Sequence, residues 1–78
     1  MIIHRPVTIA DVNSTLARDI QIAGKSDATH VYELLYNASS NEFIVRRAPT
    51  GGGAYQNLRT FPRGNKHDAV DLYNSVGN

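Results

Sequence analysis

Residues Thr29 to Ala48 read THVYELLYNASSNEFIVRRA and carry the strongest secondary-structure signal in the chain. The first part, Thr29 to Tyr36, is rich in aromatic and branched side chains, which favour strands. The polar segment NASSN follows, and FIVRRA, residues 43–48, has the alternation of a second strand. Two strands joined by a short polar turn predict an antiparallel hairpin. The period of two leaves open which face of the first strand is buried.

The chain after this hairpin predicts a third strand and a helix. Pro49 and three glycines end the second strand, and AYQNLRTF, residues 54–61, has the composition of a third. Asn65 is a favoured residue for a helix N-cap. Four apolar residues then recur at helical spacing: Ala69, Leu72, Tyr73 and Val76. The pattern predicts a helix from Lys66 to Val76.

The chain before the hairpin predicts a longer helix, from Thr8 to Ala23. Thr8 and Asp11 have the spacing of a capping box, in which side chains and backbone N–H groups bond reciprocally. An apolar stripe follows at spacings of three and four: Ile9, Val12, Leu16, Ile20 and Ala23. Gly24 comes directly after this stripe and is predicted to end the helix as its C-terminal cap.

Together these elements predict a single α+β domain over residues 1–78, in the order α-β-β-β-α. We expect a three-stranded antiparallel sheet with both helices packed on one face and the other face in water. The predicted core consists of Ile9, Val12, Leu16, Ile20, Leu34, Ile44, Leu58, Ala69, Leu72 and Val76, with ring area added by Tyr32 and Phe61.

The composition is typical of a folded domain and narrows the possible chemistry. Of the 78 residues, 41% are hydrophobic and 19% are charged, unlike the composition of disordered chains. The absence of cysteine excludes disulfides, thiolate metal ligands and thiol nucleophiles. No segment approaches the ~20 apolar residues of a transmembrane helix, so we expect a cytoplasmic protein without a membrane partner.

The sequence contains no recognisable catalytic or metal-binding motif. His4, His30 and His67 lie in separate elements, without the spacing of a zinc site or a neighbouring pair of carboxylates. The G-x-S-x-G pattern of a serine nucleophile is also missing. We therefore expect a protein that is not an enzyme and takes no cofactor, metal or small-molecule substrate.

The largest asymmetry of charge lies in residues 43–67, which hold five basic residues and no acidic one, whereas the whole chain has a net charge of only +1. The basic residues are Arg46, Arg47, Arg59, Arg63 and Lys66. Arginine forks suit phosphate and carboxylate groups. Basic side chains on exposed strands also serve simply to protect sheet edges from pairing.

The run Gly51, Gly52 and Gly53 lies between the second and third predicted strands. It matches neither the phosphate-binding G-x-x-x-x-G-K-[ST] nor the dinucleotide-binding G-x-G-x-x-G pattern. One interpretation is a flexible hairpin tip, because glycine tolerates positive φ. The other is a mobile finger that approaches a partner closely, with arginines at its base and Tyr55 as a stacking residue.

Two resemblances bear on nucleic-acid binding. The order α-β-β-β-α resembles the double-stranded-RNA-binding fold, although Asn65-Lys66-His67-Asp68-Ala69 stands where that family has a Lys-rich start to its last helix. The second half of the chain, from NEFIVRRAP to VDLY, is similar to the DNA-binding modules of integrases that combine a three-stranded sheet with a helix.

The favoured function is a non-enzymatic inhibitor or modulator that binds stoichiometrically to a protein or ribonucleoprotein. Small cysteine-free phage and mobile-element proteins, including anti-CRISPR inhibitors, resemble this chain in size and lack of motifs. The alternative is a nucleic-acid-binding module, but a sequence pI of 8.2 lies below the ~9 typical of such domains. The predicted contact residues are Arg46, Arg47, Gly51, Gly52, Gly53, Tyr55, Arg59, Arg63 and Lys66. If this loop is only a hairpin tip, the first helix offers another surface around Asn13, Arg18 and Gln21.

Overall fold

Four antiparallel strands and two helices make up the fold in a computed structural model, which describes residues 6–15 and 21–77. The elements are α1 (Ile9–Thr15), β1 (Gln21–Ser26), β2 (His30–Asn37), β3 (Glu42–Pro49), β4 (Gln56–Pro62) and α2 (Lys66–Ser75), with a 3₁₀ turn at Arg63–Asn65. The sheet has the order β1-β2-β3-β4, so each strand pairs with its neighbour along the chain. The α+β class is confirmed, but the prediction of three strands is wrong.

The additional strand is β1, which occupies part of the segment predicted as the first helix. Gly24 is therefore not a helix cap, because it lies within β1 opposite Glu33. Ile22 is an extra residue in a bulge of β1, and it is fully buried together with Ala23. Pairing with β2 supplies the backbone hydrogen bonds that a helix would otherwise supply. The strand can therefore bury Ile22 and Ala23 without leaving their backbone groups unpaired. Residues 16–20, including the predicted core residues Leu16 and Ile20, lie outside the described part.

The start of α1 agrees with the predicted capping box. The Thr8 backbone N–H donates to Asp11 Oδ2 at 2.9 Å, and the Asp11 N–H donates to Thr8 Oγ1 at 3.2 Å. Just before the helix, Val7 is held against α2 by two hydrogen bonds with the Asn74 side chain, of 2.9 and 2.8 Å. The beginning of α1 is thus fixed both locally and by α2.

The helix α2 begins at the predicted residue, Lys66, but without the predicted N-cap. Asn65 makes no side-chain capping bond, because the 3₁₀ turn leads directly into the helix. At the other end the Val76 N–H donates to the Leu72 carbonyl at 3.1 Å, and Gly77 follows with a φ of 73°. A Cβ atom at Gly77 would lie 2.7 Å from the Tyr32 ring, so both the backbone and the packing require glycine there.

Both helices pack on one face of the sheet, where they form the core. The largest fully buried side chains are Tyr73, Phe43, Ile22, Leu34, Val12 and Val45. The predicted core residues Val12, Leu34, Ala69, Tyr32 and Phe61 are buried, and Ile9, Leu58, Leu72 and Val76 are partly buried against the core. The prediction for Ile44 is wrong: its neighbours Phe43 and Val45 point to the helices, so Ile44 points to the opposite face.

Candidate functional site

The face of the sheet opposite the helices, called here the open face, carries four apolar residues on its two central strands. Paired residues of antiparallel strands share a face, so Val31 and Leu35 of β2 lie beside Ala48 and Ile44 of β3. Leu35 and Ala48 are buried yet lie outside the core cluster. The edge strands and the end of β3 contribute polar residues to the same face: Gln21, Ser26, Glu42, Asn57 and Thr60. Apolar residues on the central strands within a polar rim are typical of a protein interface.

An ion pair occupies the middle of the open face. Arg46 donates to Glu33 Oε1 from Nε at 2.7 Å and from Nη2 at 2.6 Å. Glu33 is only 8% exposed, so the arginine compensates a nearly buried carboxylate. The pair follows from the strand register, which sets Glu33 directly opposite Arg46.

The Tyr55 ring stacks on this ion pair. The Arg46 guanidinium carbon lies 4.2 Å from the centre of the ring, within cation–π distance. Partial burial and the neighbouring Glu33 carboxylate raise the pKa of Tyr55 above its ordinary value. Tyr55 is nevertheless 41% exposed, and no other large hydrophobic residue among residues 6–13 and 21–77 is exposed to that extent. It therefore covers the ion pair while the rest of its surface stays open to solvent.

The connection between β3 and β4 returns the chain to the open face at Tyr55. The Gly52 N–H donates to the Pro49 carbonyl at 3.1 Å, which closes a turn immediately after β3. Gly52 and Gly53 have φ values of 105° and 139°, which L side chains rarely adopt. The glycine run thus has a defined backbone conformation that requires glycine, and its three residues are all exposed.

An apolar groove of about 310 Å³ lies on the other side of Arg46 from the connection. Its lining consists of Leu35, Asn37, Ala38, Ser39, Ile44 and Arg46. The turn that forms one wall is held by the Asn37 side chain, whose Oδ1 accepts from the Ser39 N–H at 3.0 Å. The Tyr36 hydroxyl also donates to Asn41 Oδ1 at 2.9 Å. These bonds give the groove a defined wall.

The structure brings only some of the predicted contact residues together. Arg46 and Tyr55 are in contact, and the three glycines lie in the connection that leads from β3 to Tyr55. Arg47 and Arg59 lie on the helix side of the sheet, where Arg47 is beside Tyr32 and Arg59 lies 4.9 Å from the Phe61 ring centre.

The remaining basic residues lie near the helices. Arg63 is exposed in the 3₁₀ turn, and Lys66 Nζ donates to Asn13 Oδ1 at 2.7 Å. Asn13 is exposed at this junction between the helices, and Gln21 is in β1, not on a helix. Arg18, the third residue of the alternative surface, is outside the described residues. The five basic residues therefore do not form one surface.

Sequence reasoning missed Glu33 and the groove residues Leu35, Asn37, Ala38, Ser39 and Ile44. Glu33 had a detectable signal, since it is an acidic residue inside the apolar strand VYELLY and faces a strand that carries two arginines. The groove had none, because it forms only where the β2–β3 turn and the two strands come together in space.

Within residues 6–15 and 21–77, no three His, Asp or Glu residues come together in a way that could hold a metal ion. No helix in these ranges has the length and apolar character needed to cross a membrane. The sequence matches no protein-family model, and no curated protein or solved structure shows significant similarity to the chain.

Proposed function

We propose that this chain is a non-enzymatic binding protein that modulates a protein or ribonucleoprotein target stoichiometrically. The observation that carries the proposal is the exposed Tyr55 ring, stacked on Arg46 in the open face. Tyrosine and arginine, together with tryptophan, are enriched among the residues that contribute most of the binding energy at protein interfaces. The apolar groove beside Arg46 supplies a pocket for an anchor side chain of the partner.

The electrostatics of the open face favour a protein surface over free nucleic acid. Glu33 compensates the charge of Arg46, and the polar rim includes Glu42. Nucleic-acid binding depends on uncompensated Lys and Arg side chains that contact several phosphates. The nucleic-acid alternative draws less support, because the remaining arginines are distributed over other surfaces.

The test is affinity capture from a nuclease-treated lysate of the cells that encode the protein. The wild-type chain is compared with Tyr55→Ala, which removes the exposed ring and keeps the ion pair between Glu33 and Arg46. We expect Tyr55→Ala to weaken capture of a protein partner by about 30-fold, the loss typical of a central anchor. Tyr55→Phe should retain most of the capture because it keeps the ring on Arg46.

Arg63→Ala is the control, since it truncates an exposed residue away from the open face. It should capture the partner as well as the wild type does. Equal capture by all variants, each shown to be folded, would place the binding surface elsewhere. Loss of every captured protein after nuclease treatment would favour the nucleic-acid alternative.

A further inference from the structure

The charges of the open face do not balance, although the chain as a whole is slightly basic. Among the described strand residues that the pairing register places on this face, the charged ones are Glu33, Glu42 and Arg46. Arg46 is already paired with Glu33, so the carboxylate of Glu42 is left over. Glu42 is partly exposed, and within residues 6–15 and 21–77 its carboxylate makes no ion pair or hydrogen bond. The open face is therefore a slightly acidic surface.

Glu42 lies beside the end of the groove that is farther from Arg46. It pairs directly with Asn37, which lines the groove, and it shares a face with Ile44, two residues further along β3 and also part of the lining. The order Arg46, Ile44, Glu42 along the strand places the apolar lining between a guanidinium and a carboxylate. The Cα atoms of the two charged residues, four positions apart, are separated by about 13 Å.

The Arg46 end of the groove has a compensated charge but keeps hydrogen-bond donors. Its Nε and Nη2 atoms lie 2.7 and 2.6 Å from Glu33 Oε1, whereas Nη1 makes no hydrogen bond within the described part of the chain. The Tyr55 ring covers one side of the guanidinium. A neutral acceptor, such as a backbone carbonyl, suits the remaining N–H groups, because Glu33 already compensates the positive charge.

The groove itself is suited to one large apolar side chain. Its volume of about 310 Å³ is at the lower end of the range for small-molecule sites. Leu35, Ala38 and Ile44 supply its apolar lining. The polar group best placed to compete, Asn37 Oδ1, already accepts from the Ser39 N–H at 3.0 Å. A polar side chain would therefore gain little in exchange for its lost water.

We propose that the groove holds a large apolar side chain of the protein target, and that a lysine or arginine beside it in the target pairs with Glu42. A backbone carbonyl of the same segment accepts from Arg46. This inference rests on the proposed function, because it takes the open face as the docking surface, and it adds the chemistry of the segment that docks. An acidic segment would be repelled by Glu42 and would meet no free positive charge at Arg46.

Blocked tripeptides, titrated into the wild-type chain and followed by the NMR shifts of its backbone amides, test this chemistry. The first probe is glycine-phenylalanine-lysine, the second has glutamate in place of lysine, and the third has serine in place of phenylalanine. We expect the first to give saturable shifts around the groove in the millimolar range. The serine peptide should bind at least about tenfold more weakly, because it loses the apolar contact. The glutamate peptide should bind about fivefold more weakly, because it replaces a partly exposed ion pair by repulsion.

Variants of the chain separate the two contributions. Glu42→Gln should bind the lysine and glutamate peptides equally, and Glu42→Lys should reverse the preference. Asp71→Lys is the control, because it makes the same change of charge on α2, on the other side of the sheet. Ala38→Trp should abolish binding by filling the groove. Ser40→Trp is its matched control, because Ser40 is exposed in the same turn but does not line the groove.

The inference would be overturned if the phenylalanine-lysine peptide gave no saturable shifts at the groove up to about 20 mM. It would also be overturned if the glutamate peptide bound as tightly, or if Ala38→Trp left binding unchanged. Target capture that depends on Tyr55, but not on Glu42→Lys or Ala38→Trp, would overturn this inference and leave the proposed function intact. Capture that is weakened by Glu42→Lys and Ala38→Trp, but not by Tyr55→Ala, would support the groove and contradict Tyr55 as the anchor.

Discussion

Tyr73 lies in the centre of the core with a buried hydroxyl that has no hydrogen-bond partner among the described residues. Such a hydroxyl has lost its water without compensation, at a cost of about 1–3 kcal/mol. Tyr73→Phe should therefore leave the free energy of unfolding unchanged or raise it by up to about that amount. Tyr36→Phe is the matched control, because it removes the bond to Asn41 and should lower stability by about 0.5–1.5 kcal/mol. Chemical denaturation measures both, and a clear loss of stability in Tyr73→Phe would contradict the assignment.

The same hydroxyl should make the fold sensitive to high pH. Burial, with a smaller effect of the Glu33 carboxylate, raises the pKa of Tyr73 to about 12. In the unfolded chain a tyrosine ionises at a pKa of about 10, so between pH 10 and 12 the unfolded state binds fewer protons than the folded state. Stability should consequently fall as the pH rises through this window. Denaturation midpoints measured from pH 9 to 12 should fall less steeply in Tyr73→Phe than in the wild type.

Asp27, in the turn between β1 and β2, should make the stability of the fold sensitive to acid. Its Oδ1 accepts from the backbone N–H groups of His30 and Thr29, each at 2.8 Å, and these bonds lower its pKa to about 2. Because the pKa of Asp27 is lower in the folded than in the unfolded state, the ionised carboxylate stabilises the fold above pH ~4. This stabilisation is lost as the pH falls toward 2. Asp27→Ala should therefore destabilise the protein at pH 7, and the difference from the wild type should shrink toward pH 2.

Asp71→Ala is the control for that titration, since it removes an exposed carboxylate from α2. Its effect on the free energy of unfolding should stay within about 0.5 kcal/mol at neutral pH. A difference between Asp27→Ala and wild type that stays constant down to pH 2 would show that the turn bonds do not require the ionised carboxylate.

Among the elements, those with local signals were predictable from the sequence, and β1 was not. The β2–β3 hairpin, β4 and α2 each have their own turns and periodicity. Ala23 fits the apolar stripe of a helix as well as it fits a strand, and only pairing with β2, which no local pattern reveals, makes Gln21–Ser26 a strand. The position of the β2–β3 turn determines which residues form the ion pair of the open face. A turn over residues 37–41 would set Glu33 opposite Val45, whereas the observed register sets it opposite Arg46.

The β3–β4 connection allows backbone strain to be separated from crowding. The position that a Cβ atom would take is open at both Gly51 and Gly52, but only Gly52 has a positive φ, of 105°. Gly52→Ala should cost about 1–3 kcal/mol, because an L residue is strained there. Gly51→Ala should be neutral or stabilising by up to about 1 kcal/mol through the unfolded chain. Thermal denaturation of the pair checks this, and equal effects would contradict the observed turn.

For the whole molecule, the separation of the arginines on two sides of the sheet distinguishes the two classes of partner. Arg46 belongs to the open face, while Arg47 and Arg59 lie on the helix side. If a protein target docks on the open face, the double variant Arg47→Glu and Arg59→Glu should change target affinity by no more than about twofold. Tyr55→Ala should weaken it strongly.

A nucleic-acid partner would produce the opposite pattern, because backbone phosphates are bound by any accessible cation. Replacing Arg47 and Arg59 would then weaken binding to every sequence. It would also reduce the slope of log affinity against log salt by about 0.7–0.9 for each phosphate contact removed. Titrating the captured partner at several salt concentrations measures affinity and slope together. A flatter slope with the double variant, and no effect of Tyr55→Ala, would assign the function to the basic helix side and not to the open face.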